Sequence, residues 1–242
     1  MRLTVATFTA VLLAAAAFSS SVSEAATPAP CSGGVVALTY DDGPHPETPL
    51  VLDALKRHKL KATFFLVGWN VEARPDIAQR IVREGHEVAN HSWMHSDLTL
   101  MTPEEAAEDL RKTNEIIRQV TGKSPKFVRP PYGSTNDAVR AAMAKNGLTE
   151  VMWSQDSYDW TEKPVDYIVN QLKLVPPGGT YLMHDQMANT LAAVPVIATH
   201  FKTIGKGNPV CAGRLERTTN VQPVLDWLGM FYFARAAQWP SR

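Results

Sequence analysis

Apolar positions along the chain fall into short runs that alternate with longer stretches in which they recur every three or four residues. Residues 35–39 (Val-Val-Ala-Leu-Thr) and 62–67 (Ala-Thr-Phe-Phe-Leu-Val) read as buried strands, and residues 48–59 and 75–84 as the amphipathic helices that follow them. Further strands are predicted at 87–90, 127–129, 148–153 and 180–183, with a seventh near 210–215 and a last helix over about 190–203. Thr48 before Pro49 predicts a helix start, as does Thr102 before Pro103 with Glu105 three positions on. Gly122 and Gly147 are placed to close helices. Repeated strand and helix alternation predicts an α/β fold, a parallel sheet with helices outside it. Periodicity alone leaves two closures open, a barrel and an open doubly wound sheet.

The ends of the chain follow other patterns. Arg2, the alanine-rich apolar run 3–18 and the serine-rich stretch ending at Ala25 predict a secretory signal over residues 1–25. The run is shorter than the roughly 20 residues that span a bilayer, so no membrane span is expected once the signal is removed. Residues 26–30 read as a short linker, and residues 31–213 as one domain. Residues 214–242 change texture and read as an extension, a docked helix covering the bottom of the sheet. The 24 basic and 24 acidic side chains balance, and no basic cluster occurs, which excludes a nucleic-acid partner. Export places Cys31 and Cys211 in an oxidising compartment, where they are expected to form a disulfide. Closing so long a loop contributes up to about 5 kcal/mol in the chain-entropy description.

In parallel α/β folds the C-terminal strand ends converge on one face, and the reactive-looking clusters all follow predicted strands. Asp41-Asp42-Gly43-Pro44 follows the first. It has the composition of a turn, but two adjacent carboxylates at a strand end are costly unless a cation or a proton separates their roles. His91 and His95 are four apart, so on a helical turn both rings would point one way and could grip a metal, with Asp42 as third ligand. Arg129-Pro130-Pro131-Tyr132-Gly133 is a stiff segment that presents the Tyr132 N–H, either as a rigid loop only or as a donor to an oxyanion. His184 ends the sixth strand, where it is either a core histidine or an acid oriented by Asp159. His45, His58, His86 and His200 lack such company and read as structural, His45 being the nearest to an exception.

Together these motifs, Thr-Tyr-Asp-Asp-Gly-Pro, His-Ser-Trp-Met-His, Arg-Pro-Pro-Tyr-Gly, Asp-Ser-Tyr-Asp-Trp and Leu-Met-His, resemble the polysaccharide deacetylases of carbohydrate esterase family four, the NodB-homology domain. The segments around 147–160 and 182–195 are particularly similar to actinobacterial acetylxylan esterases of that family. The resemblance covers residues 31–213 and implies a distorted (β/α)7-type barrel in a single catalytic domain. It implies one divalent metal ion, Zn²⁺ with Co²⁺ as the alternative, held by Asp42, His91 and His95. Asp41 matches the general base and Arg129 the residue that keeps it ionised and oriented; His184 paired with Asp159 matches the acid, and the Tyr132 N–H the oxyanion donor. Trp160, Leu182, Tyr132 and Pro131 correspond to the wall that receives the acetyl group and a sugar face. Tyr40 stands where the family more often has Phe. The implied partner is an acetylated polysaccharide acted on outside the cell by a monomer. De-N-acetylation of β-1,4-linked N-acetylglucosamine polymers is the leading expectation. O-deacetylation of xylan is the alternative, and an inactive carbohydrate-binding module the remote one.

Overall fold

The computed structural model describes residues 34–204 and 211–215. The expected signal, the linker, Cys31 and residues 216–242 lie outside these, and with them the Cys31–Cys211 pairing and the docked helix. The strands are β1 (Val35–Asp41), β2 (Thr63–Leu66), β3 (Glu87–Asn90), β4 (Phe127–Val128), β5 (Thr149–Glu150), β6 (Gln155–Asp156), β7 (Thr180–His184) and β8 (Cys211–Gly213). The helices are α1 (Thr48–His58), α2 (Gly68–Ala73), α3 (Pro75–Arg83), α4 (Pro103–Thr121), α5 (Asp137–Lys145), α6 (Val165–Leu172) and α7 (Ala188–Ile204). None of these helices is long and apolar enough to cross a membrane.

The strands run in the order β5-β4-β3-β2-β1-β7-β6, with β8 also against β1, and every ladder is parallel. The sheet curls into a single-domain distorted barrel, which decides between the two closures that periodicity left open. The predicted strand over 148–153 is instead β5, and β6 follows it at the opposite edge of the sheet. Val151 N still donates to Val128 O on the β4 side (2.8 Å), whereas Ser154 N donates to Thr180 O on the β7 side (2.9 Å). The short stretch between them crosses the gap and shuts the barrel.

The alternation along β1 sorts the fold into two layers. Leu38 and Tyr40 join Phe64, Leu66, Tyr181 and Met183 in the main core, packed with Leu52 and Leu55 of α1 and Val194 and Ile197 of α7. Burying each large apolar side chain contributes about 1.5–3 kcal/mol. Ala37 faces the other way, into an inner cluster with Phe65, Ala89, Phe127, Val151 and Leu215. Thr39 and Asp41 share the Ala37 face, so the same period of two that builds the core aims a carboxylate at the barrel mouth.

Local signals behave as the sequence predicts at α4, where Thr102 and Glu105 form a capping box and Gly122 ends the helix in the left-handed region (φ 72°). At α1 they do not. Glu47 is the N-cap, and the Thr48 hydroxyl accepts from His45 N (2.7 Å) and donates to Asp185 Oδ2 (2.6 Å). A buried carboxylate has claimed the hydroxyl that a cap would have used.

Tyr40 is 1% exposed and stacks on Phe64, ring centroids 5.1 Å apart, yet its hydroxyl has no hydrogen-bond partner among the described residues. An unsatisfied buried hydroxyl costs about 1–3 kcal/mol. Tyr40→Phe is therefore expected to stabilise the protein by about 1 kcal/mol, read as a higher urea midpoint; a lower midpoint would show that the hydroxyl has a partner.

Candidate active site

Asp41 ends β1, and Arg129, completely buried just past β4, reaches across the barrel to it. Arg129 Nη1 donates to Asp41 Oδ1 (2.7 Å) and Thr39 Oγ1 (3.0 Å), Nε to Val151 O (3.0 Å) and Nη2 to Met152 O (3.2 Å). The guanidinium lies over the Phe65 ring at 4.1 Å. A buried guanidinium is tolerated only when paired and hydrogen-bonded, and here it fixes one oxygen of Asp41 and leaves the other toward the mouth.

Asp42 follows with a positive φ of 74°, a conformation Asp tolerates better than most residues. Asn70 Nδ2 donates to its carbonyl (2.7 Å) and Gln186 Nε2 to its Oδ2 (3.3 Å). Its Oδ1 is buried without a hydrogen-bond partner, 3.4 Å from His91 Nε2 and 3.2 Å from His95 Nε2. One ligand atom from each of Asp42, His91 and His95 lies within 4.8 Å of the others. Both histidines are oriented from behind, His91 Nδ1 donating to Arg129 O (2.6 Å) and His95 Nδ1 bonded to the Tyr132 hydroxyl (3.2 Å). That leaves the two Nε2 atoms free to bind, as in metal sites where a second partner sets the tautomer. Burial alone would depress the His91 pKa, yet the Asp41 and Asp42 carboxylates outweigh it and raise it. At His95 burial and then the His91 charge prevail and push the pKa down to about 4, which leaves its Nε2 neutral, and the three converging atoms fit one divalent ion.

The two histidines do not converge by helical spacing. Residues 91–95 form an irregular loop in which Ser92 (φ 63°) and His95 (φ 57°) are both left-handed. Asn90 Oδ1 accepts from Ser92 N (2.9 Å) and Asp109 Oδ1 from Trp93 N (2.8 Å), and these side chains replace the helical bonds.

On the β7 side, Asp159 is completely buried and fully engaged. Its Oδ1 pairs with His184 Nδ1 (2.7 Å) and accepts from Trp160 N (2.9 Å); Oδ2 accepts from His184 N (2.7 Å) and from the Thr190 hydroxyl. His184 lies directly across the ladder from Asp41. Burial alone would lower its pKa, but the bond to Asp159 and the charges of Asp159, Asp42 and Asp41 lift it to about 10. With Nδ1 committed to Asp159, the His184 ring and the Asp41 carboxylate flank the ligand cluster.

The remaining expected residues take stations around this centre. Tyr132 is 69% exposed and left-handed (φ 61°), its ring 4.6 Å from that of His95. The next two N–H groups, of Gly133 and Ser134, are spent on Pro130 O and Pro131 O. Pro131 and Leu182 are buried beneath the mouth, while Trp160 is half exposed. His86 serves the fold, its Nδ1 accepting from Ala62 N (3.2 Å), and His58 and His200 sit on α1 and α7 away from the mouth.

Sequence reasoning missed Asn70, Gln186 and Asp185. The first two hold Asp42, and their only signal was a position just past a strand. Asp185 lies under Gly43, where any β-carbon would meet its Oδ2 at 2.4 Å, and it binds Thr48. It thereby couples the loop after His184 to the loop after Asp41.

Fold and site together define a parallel α/β barrel carrying a two-histidine, one-carboxylate cluster between a buried carboxylate and a carboxylate-held imidazolium. The chain belongs to the polysaccharide deacetylase family, whose pattern it matches over residues 29–151. It is 38% identical over 182 residues to a peptidoglycan-N-acetylglucosamine deacetylase of Bacillus cereus, covering 73% of this chain and 66% of that one. It is 43% identical over 153 residues to a chitooligosaccharide deacetylase of Bradyrhizobium, covering 62% and 70%. The Bacillus subtilis deacetylase PdaC is a longer protein, of which the chain spans 32%. A family 4 carbohydrate esterase from Streptomyces lividans, solved with acetate, superposes with a TM-score of 0.73 at 39% identity, covering 76% of this chain and 94% of that structure.

The Asp159–His184 pair gives stability a definite pH dependence. A folded pKa of about 10 against an ordinary 6.5 makes the His184 contribution complete below 6.5 and lost as pH rises through 10. Burial raises Asp159, but its partners outweigh this and lower it, so its contribution is complete above 3.8 and lost as pH falls further. Asp159→Asn is therefore expected to be most destabilised relative to wild type between about pH 4 and 6.5, by about 3–5 kcal/mol, narrowing toward pH 10. Urea titrations across that range check it; a deficit independent of pH would contradict the pairing.

Proposed function

We propose that the protein is a metal-dependent carbohydrate deacetylase that removes N-acetyl groups from β-1,4-linked N-acetylglucosamine polymers, chitin oligomers or peptidoglycan glycan, and releases acetate. The observation that carries this reading is the pair of oppositely prepared groups, Asp41 and His184, neighbours across one ladder beside the Asp42, His91 and His95 cluster. The relatives named as deacetylases of peptidoglycan and of chitooligosaccharides support it.

Asp42, His91 and His95 would hold the ion, Zn²⁺ or alternatively Co²⁺. Bound there, it would supply Lewis acidity, lowering the pKa of water and polarising the acetyl carbonyl. Asp41, steadied by Arg129, takes the proton of the attacking water. The Tyr132 N–H at the rim donates to the developing oxyanion. His184 gives its Nε2 proton to the leaving nitrogen, and Asp159 holds the ring in the tautomer and orientation for that transfer. Leu182 and Pro131 floor the acetyl pocket and Trp160 walls it. We further propose that residues 1–25 direct export, that Cys31 and Cys211 form a disulfide, and that the mature chain acts as a monomer.

Ester cleavage uses the same groups, and the likeness to a solved carbohydrate esterase keeps acetylated xylan as the second reading. An amine departs less readily than an alkoxide unless it is protonated. The Asp159–His184 pair, placed to supply that proton, tilts the reading toward the amide.

Asp41→Asn keeps the shape of the side chain and removes the base, so acetate release from N-acetylated chitooligosaccharides is expected to fall about 10²–10⁴-fold. Parallel assays on peptidoglycan and acetylated xylan rank the substrates. Wild-type rates from Asp41→Asn would refute the base assignment, and release from xylan alone would install the ester reading.

A further inference from the structure

Four aromatic side chains are exposed among the described residues: Trp69, Tyr132, Tyr158 and Trp160. All four lie just past β2, β4 or β6, on the face that holds the ligand cluster. Of the exposed aliphatic residues, Leu50, Leu174 and Val196 belong to or follow helices α1, α6 and α7, whereas Leu100, like the exposed Met94, follows β3. Tyr132 is engaged with His95, and Tyr158 and Trp160 stand together, ring centroids 6.5 Å apart. Trp69 is 52% exposed and has no ring partner and no side-chain hydrogen bond among the described residues.

Its backbone is nevertheless pinned to both ligand loops. Trp69 N donates to Trp93 O (3.0 Å), Gly68 N to Ser92 O (3.0 Å), and the next side chain, Asn70, to Asp42 O (2.7 Å). Gly68 permits this closeness, because a β-carbon there would lie 2.4 Å from the Trp93 ring. Rigidly presented, unpartnered aromatic surface continuous with a reaction site marks a binding surface. In strand order β2 and β6 enclose β1 and β7, so the Trp69 loop and the Trp160 loop stand about three strand spacings apart, roughly 14 Å. Asp41 and His184 lie between them.

We propose that Trp69 is a stacking platform for a pyranose of the bound glycan, on the far side of the reacting sugar from Tyr158 and Trp160. This rests on the deacetylase reading and deepens it. The occupant is an uncharged sugar ring, which offers an apolar face to indole and needs no counter-charge. A chain gripped on both sides of the scissile acetyl is deacetylated at internal units, and affinity rises with its length until Trp69 is reached.

The test uses the full chain with N-acetylated chitooligosaccharides of graded length, and measures retention on insoluble chitin and peptidoglycan, which requires no turnover. Trp69→Ala is expected to raise KM for long oligomers about tenfold, with kcat within about twofold and the loss fading as substrates shorten. Retention should fall with it, Trp69→Tyr should recover most of both, and Leu174→Ala should change neither. Equal losses at every length, or unchanged KM and retention, would overturn the platform. Wild type that releases no acetate yet is retained through Trp69 would overturn the deacetylase reading and leave the platform standing.

Discussion

The guanidinium of Arg129 is the constraint on which the rest of the structure depends. Buried with no access to solvent, it must be paired, and it recruits its partners from three places. Val151 O and Met152 O belong to the stretch that shuts the barrel, and Thr39 and Asp41 to the central strand. Its own carbonyl accepts from His91. One residue thus ties the closing stretch to the central strand, orients Asp41 and sets the tautomer of His91. Lysine carries the charge but not the planar fork that reaches four groups at once.

The same logic governs the opposite side of the mouth. Asp159 accepts four hydrogen bonds, so its ionised form is held without solvent and in turn keeps His184 charged. Asp41 and His184 are neighbours across β1 and β7, and each has its own buried counter-ion, Arg129 and Asp159. Asp185, wedged between Thr48 and Gly43, ties their two loops together. Two separately anchored side chains thus stand beside the Asp42, His91 and His95 cluster.

Much of this was legible in the sequence because strand ends are regular: once β1 alternates, Asp41 must face the mouth, and each motif follows a strand. What was not legible depends on tertiary capture. Thr48 looked like a cap, but a carboxylate 137 positions away took its hydroxyl. The spacing of His91 and His95 pointed to two rings that do cluster with Asp42, but through the wrong geometry, since Asn90 and Asp109 hold that loop out of a helix. Residues 148–153 read as one strand because nothing local reports that their bonding changes sides at Val151. Gln186 and Asn70 are amides past strand ends, indistinguishable from surface residues until Asp42 is seen to need them.

The central claim is that Asp42, His91 and His95 hold one divalent ion. Equilibrium dialysis of the metal-stripped full chain against Zn²⁺, alongside Asp42→Ala, tests it most directly. The account predicts one tightly held equivalent per wild-type chain and its loss in the variant, with the far-ultraviolet circular dichroism unchanged. Undiminished binding by Asp42→Ala, or no tight equivalent in wild type, would contradict it.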